Sequence, residues 1–166
     1  MLDALKKVLH SDLIVTDPLE IKNYGQDWLK LYDPKALVLL FPKTTEDVKN
    51  IVLWANEHKI GLVPSGGRTG LSGGAAALNN EAIVSFEKMN KISDFNEDDL
   101  SISCEAGAIT KEIQNLALEK GYFFPVDFAA TGSSQIGGNI ATNAGGINVI
   151  RYGMFRQWVT SLEVVT

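Results

Sequence analysis

Hydrophobic residues recur in two different periods along this chain, and the changes of period mark its elements. Leu2, Leu5 and Leu9 stand three and four apart with charged residues between them, which predicts a short amphipathic helix at the start. "ALVLLF" (36–41) is a short apolar run bounded by Pro42, as expected of a buried strand. "PKTTEDV" then supplies a helix start, with Thr44 as cap and Asp47 three residues on completing a capping box. Val48, Ile51, Val52 and Ala55 share one helical face, while Glu46, Lys49, Asn50 and Glu57 fall mostly elsewhere. "KIGLVP" reads as a second strand. This strand, helix, strand unit with short connections predicts a parallel pair joined by a right-handed crossover.

Farther on, "EAIVSF" (81–86) reads as another strand. In "LSISCEA", Leu100, Ile102 and Cys104 alternate with Ser101, Ser103 and Glu105 after the turn-rich "NEDD", the pattern of a half-buried strand. Ile109 to Lys120 returns to helical spacing at Ile109, Ile113, Leu116 and Ala117, with Gly121 placed to cap the end. "SLEVVT" (161–166) alternates like a strand and is followed by no turn or polar tail, so the sequence reads as a domain cut short of its own sheet. There is no internal repeat, low-complexity tract or Pro/Ser linker. The elements predict an α+β or α/β domain.

Composition narrows the function classes. A chain of 166 residues with 45% hydrophobic and 21% charged residues suits a globular protein with a real core. Its net charge of −5 argues against a general attraction to nucleic acid or anionic lipid. The apolar runs are far shorter than the roughly 20 residues a membrane-spanning helix needs, and the first helix lacks the uninterrupted core of an export signal. A cytoplasmic location is expected. The single cysteine, Cys104, allows neither an internal disulfide nor a thiolate metal cluster and suits a small buried side chain. No His, Cys, Asp and Glu grouping has metal-ligand spacing, so no metal is expected.

Ten of the 15 glycines lie in two loops. The first, "PSGGRTGLSGG" (64–74), follows a predicted strand, and ligands of α/β sheets commonly sit beyond the carboxyl ends of strands. The second, "ATGSSQIGGNIATNAGG" (130–146), is rich in Gly, Ser, Thr and Asn. A diphosphate needs several main-chain N–H groups converging on it, and glycine permits the required backbone angles and close approach. Neither loop has the i, i+2, i+5 glycines of a dinucleotide fingerprint or the Gly-Lys-Ser/Thr ending of a Walker A loop. Tight turns without a ligand are the alternative for both.

These two loops, together with "RYGMFRQWVTSLEVVT" and the opening "FPKTTEDV", resemble the FAD-binding domain of the vanillyl-alcohol-oxidase superfamily, the PCMH-type fold. The likeness runs from about Asp12 to Thr166 and is strongest to the branch of D-lactate dehydrogenase, D-2-hydroxyglutarate dehydrogenase and the flavin-binding component of glycolate oxidase. It implies an α+β fold of two small α/β subdomains, truncated at the C-terminus. We expect an N-terminal helical extension (1–35), a first FAD-binding subdomain (36–110) and an incomplete second one (111–166). In the first loop the resemblance assigns FAD binding to Pro64, Ser65, Gly66, Gly67, Arg68, Thr69, Gly70 and Leu71, with main-chain amides holding the pyrophosphate and the Thr69 hydroxyl assisting. In the second it assigns Gly132, Ser133, Gly137, Gly138, Asn139, Thr142 and Asn143, running along the flavin and ribityl chain, with Pro125 near the isoalloxazine. Covalently flavinylated relatives often carry His after the paired glycines; here Arg68 stands there and His10 and His58 lie elsewhere, so FAD is expected to be non-covalent. Arg68 also has a plainer reading as a solvated loop charge, and Gly67 is expected to need positive φ.

Asn148 stands where relatives commonly have a basic residue. Arg151 and Tyr152 match the family's "RYG", with roles either at the flavin or in locking the loop. His58 reads as a favourable charge at a helix end, and Trp28, Trp54 and Trp158 read as core or rim. Relatives of the hydroxy-acid branch take substrate and metal ligands from a later cap domain, so no catalytic residue is assigned here. The resemblance implies the FAD-binding part of an oxidoreductase that acts on CH–OH groups, oxidising a D-2-hydroxy acid of the glycolate or D-lactate type by hydride transfer. A quinone, cytochrome or electron-transfer flavoprotein would take the electrons, and the whole protein could sit at the inner face of the membrane. The 166 residues alone would be inactive and prone to self-association. The alternatives are a diphosphate-binding module without redox chemistry and an oxidase or reductase of another substrate class on the same fold.

Overall fold

The computed structural model describes residues 2–166. They form two compact units, one reaching to Lys88 and including Val164–Thr166, the other Met89–Glu163. Among the described residues, no helix is long and apolar enough to cross a membrane.

The first unit is a four-stranded sheet with helices on both faces. β2 (Val38–Leu40), β4 (Ala82–Ser85) and β3 (Leu62–Ser65) run parallel in that order, and β1 (Ile14–Val15) pairs antiparallel on the outside of β2. Every residue of β2 and β4 is buried, which is why "ALVLLF" and "EAIVSF" are apolar without alternation. On one face Val38, Leu40, Ala82 and Val84 pack with Leu5 of α1 (Leu2–Val8), with Leu9 and Leu13, and with Ile51, Trp54 and Ala55 of α3 (Thr45–His58). On the other, Leu39 and Ile83 pack with Ile21 of α2 (Pro18–Tyr24), Phe41 and Ala77. α3 starts at the expected capping box. Thr44 Oγ1 accepts from the Asp47 N–H at 3.1 Å, and the Asp47 carboxylate accepts from the Thr44 N–H at 3.1 Å.

Two expectations for this unit need correcting. β2 and β3 are parallel but not paired, because β4 lies between them and bonds to both. Residues 1–35 are no extension, since Leu5, Leu9 and Leu13 fill the core and Ile14 and Val15 pair with β2.

The second unit opens with an antiparallel hairpin of β5 (Ile92–Asn96) and β6 (Ser101–Cys104), irregular between Ile92 and Phe95. α4 (Thr110–Glu119) follows, with Gly121 at φ 81° just past its end, where the Tyr122 N–H turns back to the Ala117 carbonyl at 2.8 Å. Two short helices, α5 (Ile136–Ala141) and α6 (Val149–Tyr152), complete the unit with a 3-10 turn at Phe155–Trp158. The core is Ala108, Ile113, Val126, Ile136 and Phe155, with Ile92, Ile102 and Cys104 packed against it.

That packing corrects the expected boundary after residue 110. The hairpin buries its apolar side against α4's core, so the division falls after Lys88. β5 is an element the sequence pattern does not predict. Leu100, expected in the strand, is instead in the turn at φ 56° and 57% exposed, so β6 begins at Ser101. Residues 161–166 belong to no strand.

Candidate functional site

The parallel register brings the ends of three strands to one edge of the first sheet. Leu40 pairs with Val84 and Ser65 with Ser85, so the chain leaves that edge at Phe41, at Gly66 and at Phe86. The first glycine-rich loop begins there. Its left-handed residues are Arg68 (φ 55°) and Gly73 (φ 78°), so the positive φ expected at Gly67 falls on its neighbour.

Arg68 is fixed on three sides. Its guanidinium lies 4.3 Å from the centre of the Tyr24 ring, donates to the Gly66 carbonyl at 3.1 Å and pairs with Glu87 at 3.3 Å. Tyr24 in turn donates its hydroxyl to the other Glu87 oxygen at 2.6 Å and packs edge-on to Phe41 at 5.2 Å. Burial and then the Glu87 carboxylate push the Tyr24 phenol up to about 12. Ser65, fully buried, gives its hydroxyl to the Tyr24 carbonyl at 2.8 Å. Arg68 is thus a held charge and not a free solvated one.

The far side of the loop is tied down by Asp27, which is only 5% exposed. Its carboxylate accepts from the main-chain N–H groups of Leu29 (3.1 Å), Lys30 (3.3 Å) and Gly73 (2.9 Å), while the Trp28 N–H donates to the Gly70 carbonyl at 3.1 Å. Between these two anchors the loop's own donors are unused. Among the described residues, no main-chain N–H from Gly66 through Ser72 bonds to protein, and neither does the Thr69 hydroxyl. A Cβ built on Gly70 would meet nothing within 4 Å. Gly66 to Thr69 are half-buried and Gly70 to Ser72 exposed, and unpaired N–H groups in such a run beside an arginine have the chemistry to hold an anion with many acceptor oxygens, as a diphosphate is.

The second loop is different: most of its polar groups are spent internally. Asn139 is 6% exposed and donates to Thr110 Oγ1 (2.5 Å) and Ser134 Oγ (3.3 Å), while the Thr110 and Ser134 hydroxyls lie 2.9 Å apart. Thr142 donates to the Gly138 carbonyl at 2.9 Å, and Asn143 (φ 48°) accepts from the Arg156 N–H at 3.0 Å. Gly137 is a packing residue, since a Cβ there would lie 2.8 Å from that of Ala106. Pro125 is fully buried, with the Asn148 amide donating to its carbonyl at 3.0 Å. Gly132, Ser133 and Gly138 are exposed, and a Cβ on Gly132 or Gly138 would meet nothing within 4 Å. Arg151 lies over the Tyr152 ring at 5.1 Å, and Tyr152 meets Phe123 edge-on, which favours the loop-locking role for this pair.

Sequence reasoning missed Tyr24, Asp27 and Glu87. Glu87 directly follows the predicted strand 81–86, but only the pairing of β4 with β3 brings it to Arg68. His58 ends α3 with Nδ1 2.9 Å from the Trp54 carbonyl, the helix-end position expected of it. Among the described residues no group of His, Cys, Asp and Glu could hold a metal ion. Burial pushes the Cys104 thiol up, which suits a packed and unreactive side chain.

The model of a family described as "FAD binding domain" matches residues 36–166. A D-2-hydroxyglutarate dehydrogenase of Stutzerimonas stutzeri (strain A1501) is 52% identical over 166 residues, all of this chain and 36% of that protein. A mitochondrial D-2-hydroxyglutarate dehydrogenase of Bos taurus is 38% identical over 164 residues, 99% of this chain and 30% of that protein. The chain spans about a third of the length of the curated relatives it matches. A solved alkyldihydroxyacetonephosphate synthase superposes with a TM-score of 0.81 at 17% identity, covering 94% of this chain and 34% of that one, a likeness of fold. With the family match spanning residues 36–166, most of its length, the chain belongs to the FAD binding domain family.

Proposed function

We propose that this chain is the FAD-holding part of a dehydrogenase that oxidises a D-2-hydroxy acid. The observation that carries the FAD site is the run of unpaired N–H groups from Gly66 through Ser72, held between the Arg68 and Asp27 anchors. These groups would bind the cofactor's diphosphate, with Arg68 adding positive charge and the Thr69 hydroxyl a further donor. In the second unit Gly132, Ser133 and Gly138 offer the open surface. When bound, FAD supplies a hydride acceptor for the oxidation of the substrate's carbinol carbon. The protein's part is to bind and orient it.

The substrate class follows the names of the relatives, which are D-2-hydroxyglutarate dehydrogenases at 52% and 38% identity. This sharpens the glycolate or D-lactate type expected from sequence to a longer dicarboxylic hydroxy acid. The cofactor is held without a covalent bond in this reading. The guanidinium of Arg68 is no nucleophile, while His10 is paired with Asp12 and His58 ends α3 with Nδ1 at the Trp54 carbonyl. A quinone, a cytochrome or an electron-transfer flavoprotein takes the electrons, and the protein works in the cytoplasm or at the inner face of its membrane.

Protein expressed from its full reading frame should purify yellow, lose its oxidised-flavin absorbance on addition of D-2-hydroxyglutarate but not its L-isomer, and release the flavin on acid precipitation. A colourless protein that gains no flavin absorbance with added FAD would defeat the cofactor assignment. Yellow protein bleached by none of D-2-hydroxyglutarate, D-lactate and glycolate would defeat the substrate class alone, and flavin retained in the precipitate would defeat the non-covalent claim.

A further inference from the structure

Trp28, Leu29, Leu31 and Tyr32 stand close together in the turn after α2, and all four are exposed, Trp28 by 68% and Leu31 by 71%. Leu71, also exposed, is on the glycine-rich loop against which this turn rests. The Trp28 N–H donates to the Gly70 carbonyl at 3.1 Å, and a Cβ built on Gly73 would lie 3.8 Å from the Tyr32 ring. Single apolar side chains in water are ordinary, but a cluster of them on adjoining segments marks a surface that another element covers.

The turn is no frayed end. The buried Asp27 carboxylate accepts from the Leu29 and Lys30 N–H groups, the Gln26 amide donates to the Tyr32 carbonyl at 3.4 Å, and the Lys35 N–H donates to the Ala77 carbonyl at 2.8 Å. Its backbone is fixed while its apolar side chains reach into water, so covering them costs little further ordering. Beside them a hollow of about 530 Å³ opens between Lys22 and Asn23 of α2 and Lys30, Leu31 and Tyr32 of the turn. Lys22 pairs with Asp33 at 3.4 Å, whereas Lys30 has no ion pair among the described residues. This surface suits apolar side chains accompanied by a carboxylate.

We propose that it is covered by the part of the full-length polypeptide outside residues 1–166. The chain spans 36% of one relative and 30% of another, so about two-thirds of a protein of that length lies outside the matched region and must pack somewhere on it. A second copy suits the surface less well. A two-fold dimer would set this patch against itself, and Lys22 and Lys30 outnumber Asp33 there, so like charges would meet. The inference rests on the reading of this chain as part of a longer dehydrogenase.

The test places a photoreactive residue on the patch of the protein expressed from its full reading frame, as Trp28→p-benzoylphenylalanine and, separately, Leu31→p-benzoylphenylalanine. Irradiation should join each position to a peptide of the same polypeptide outside residues 1–166, in a yield that does not change on tenfold dilution. Lys30→Glu in the Trp28 variant should lower that yield severalfold, and Lys30→Arg should keep it. The proposal is overturned if both positions stay unlinked, link only within residues 1–166, link only when lipid vesicles are added, or give a dimer whose yield falls on dilution. If one variant does not fold, the other decides. Full-length protein that binds no FAD would defeat the cofactor reading and leave the cross-link as found, so the two failures are distinct.

Discussion

Arg68 holds a left-handed backbone conformation that costs a residue with a Cβ about 1 kcal/mol or more. Glu87, Tyr24 and the Gly66 carbonyl supply the contacts that offset this cost, so the loop's shape depends on a carboxylate nineteen positions along the chain. The titration of Tyr24 reports on that network. Its folded value of about 12 lies above the ordinary 10.0, so the neutral phenol stabilises the fold below pH 10 and that contribution is lost as pH rises through 12. Glu87→Gln removes the negative charge facing the hydroxyl and should bring the tyrosinate transition part of the way back towards 10.0, leaving the share due to burial. The measurement is an alkaline titration followed by tyrosinate absorbance, with Tyr24→Phe identifying the step. The same variant should weaken FAD binding, because Arg68 then loses its fixed orientation. The glycines that surround Arg68 are plain in the sequence; the device that holds it is not, since Tyr24 and Glu87 meet it only through the strand register.

At the scale of elements, sequence patterns are most reliable where the determining contacts are local. The capping box of α3 and the apolar runs of β2 and β4 can be read directly, because each depends on neighbours within a few residues. Strand order cannot: β4 enters between β2 and β3 after a long loop, and nothing in the strand, helix, strand pattern announces it. β5 escapes because "KISDFN" has only Ile92 and Phe95 as apolar residues, and its pairing with β6 is irregular between them. α5 shows the limit most sharply. Gly137 and Gly138 are identical in sequence and sit one after the other on one helix, but only Gly137 faces a neighbour. Gly137→Ala should destabilise by roughly 1–3 kcal/mol, because the added methyl meets Ala106 and overrides the better helix propensity of alanine. Gly138→Ala should be neutral or stabilise by up to about 1 kcal/mol. Denaturant unfolding of the two variants decides it, and equal effects would mean that the close approach to Ala106 is not maintained in solution.

The whole molecule is two cores on one chain. Leu40 is fully buried in the first, among α1, α3 and the parallel strands, and Ile113 is 6% exposed in the second, among the hairpin, α4 and Phe155. None of the buried residues grouped with Leu40 is grouped with Ile113. Stability need not be uniform across such a chain, and each unit can open by itself. Leu40→Ala and Ile113→Ala should each cost about 2–5 kcal/mol, but in different places. Hydrogen exchange on the apoprotein should show faster exchange through residues 2–88 for Leu40→Ala with little change in 89–163, and the reverse for Ile113→Ala. This division is misplaced from sequence because β6 looks like a continuation of the first sheet until its partner β5 and the core it covers are known. Saturating FAD should then protect the first unit, which carries the loop proposed to bind its diphosphate, by about 2.7 kcal/mol at a hundredfold excess over the dissociation constant. If exchange instead rises across both units for either variant, the two cores unfold as one and the boundary after Lys88 has no energetic meaning.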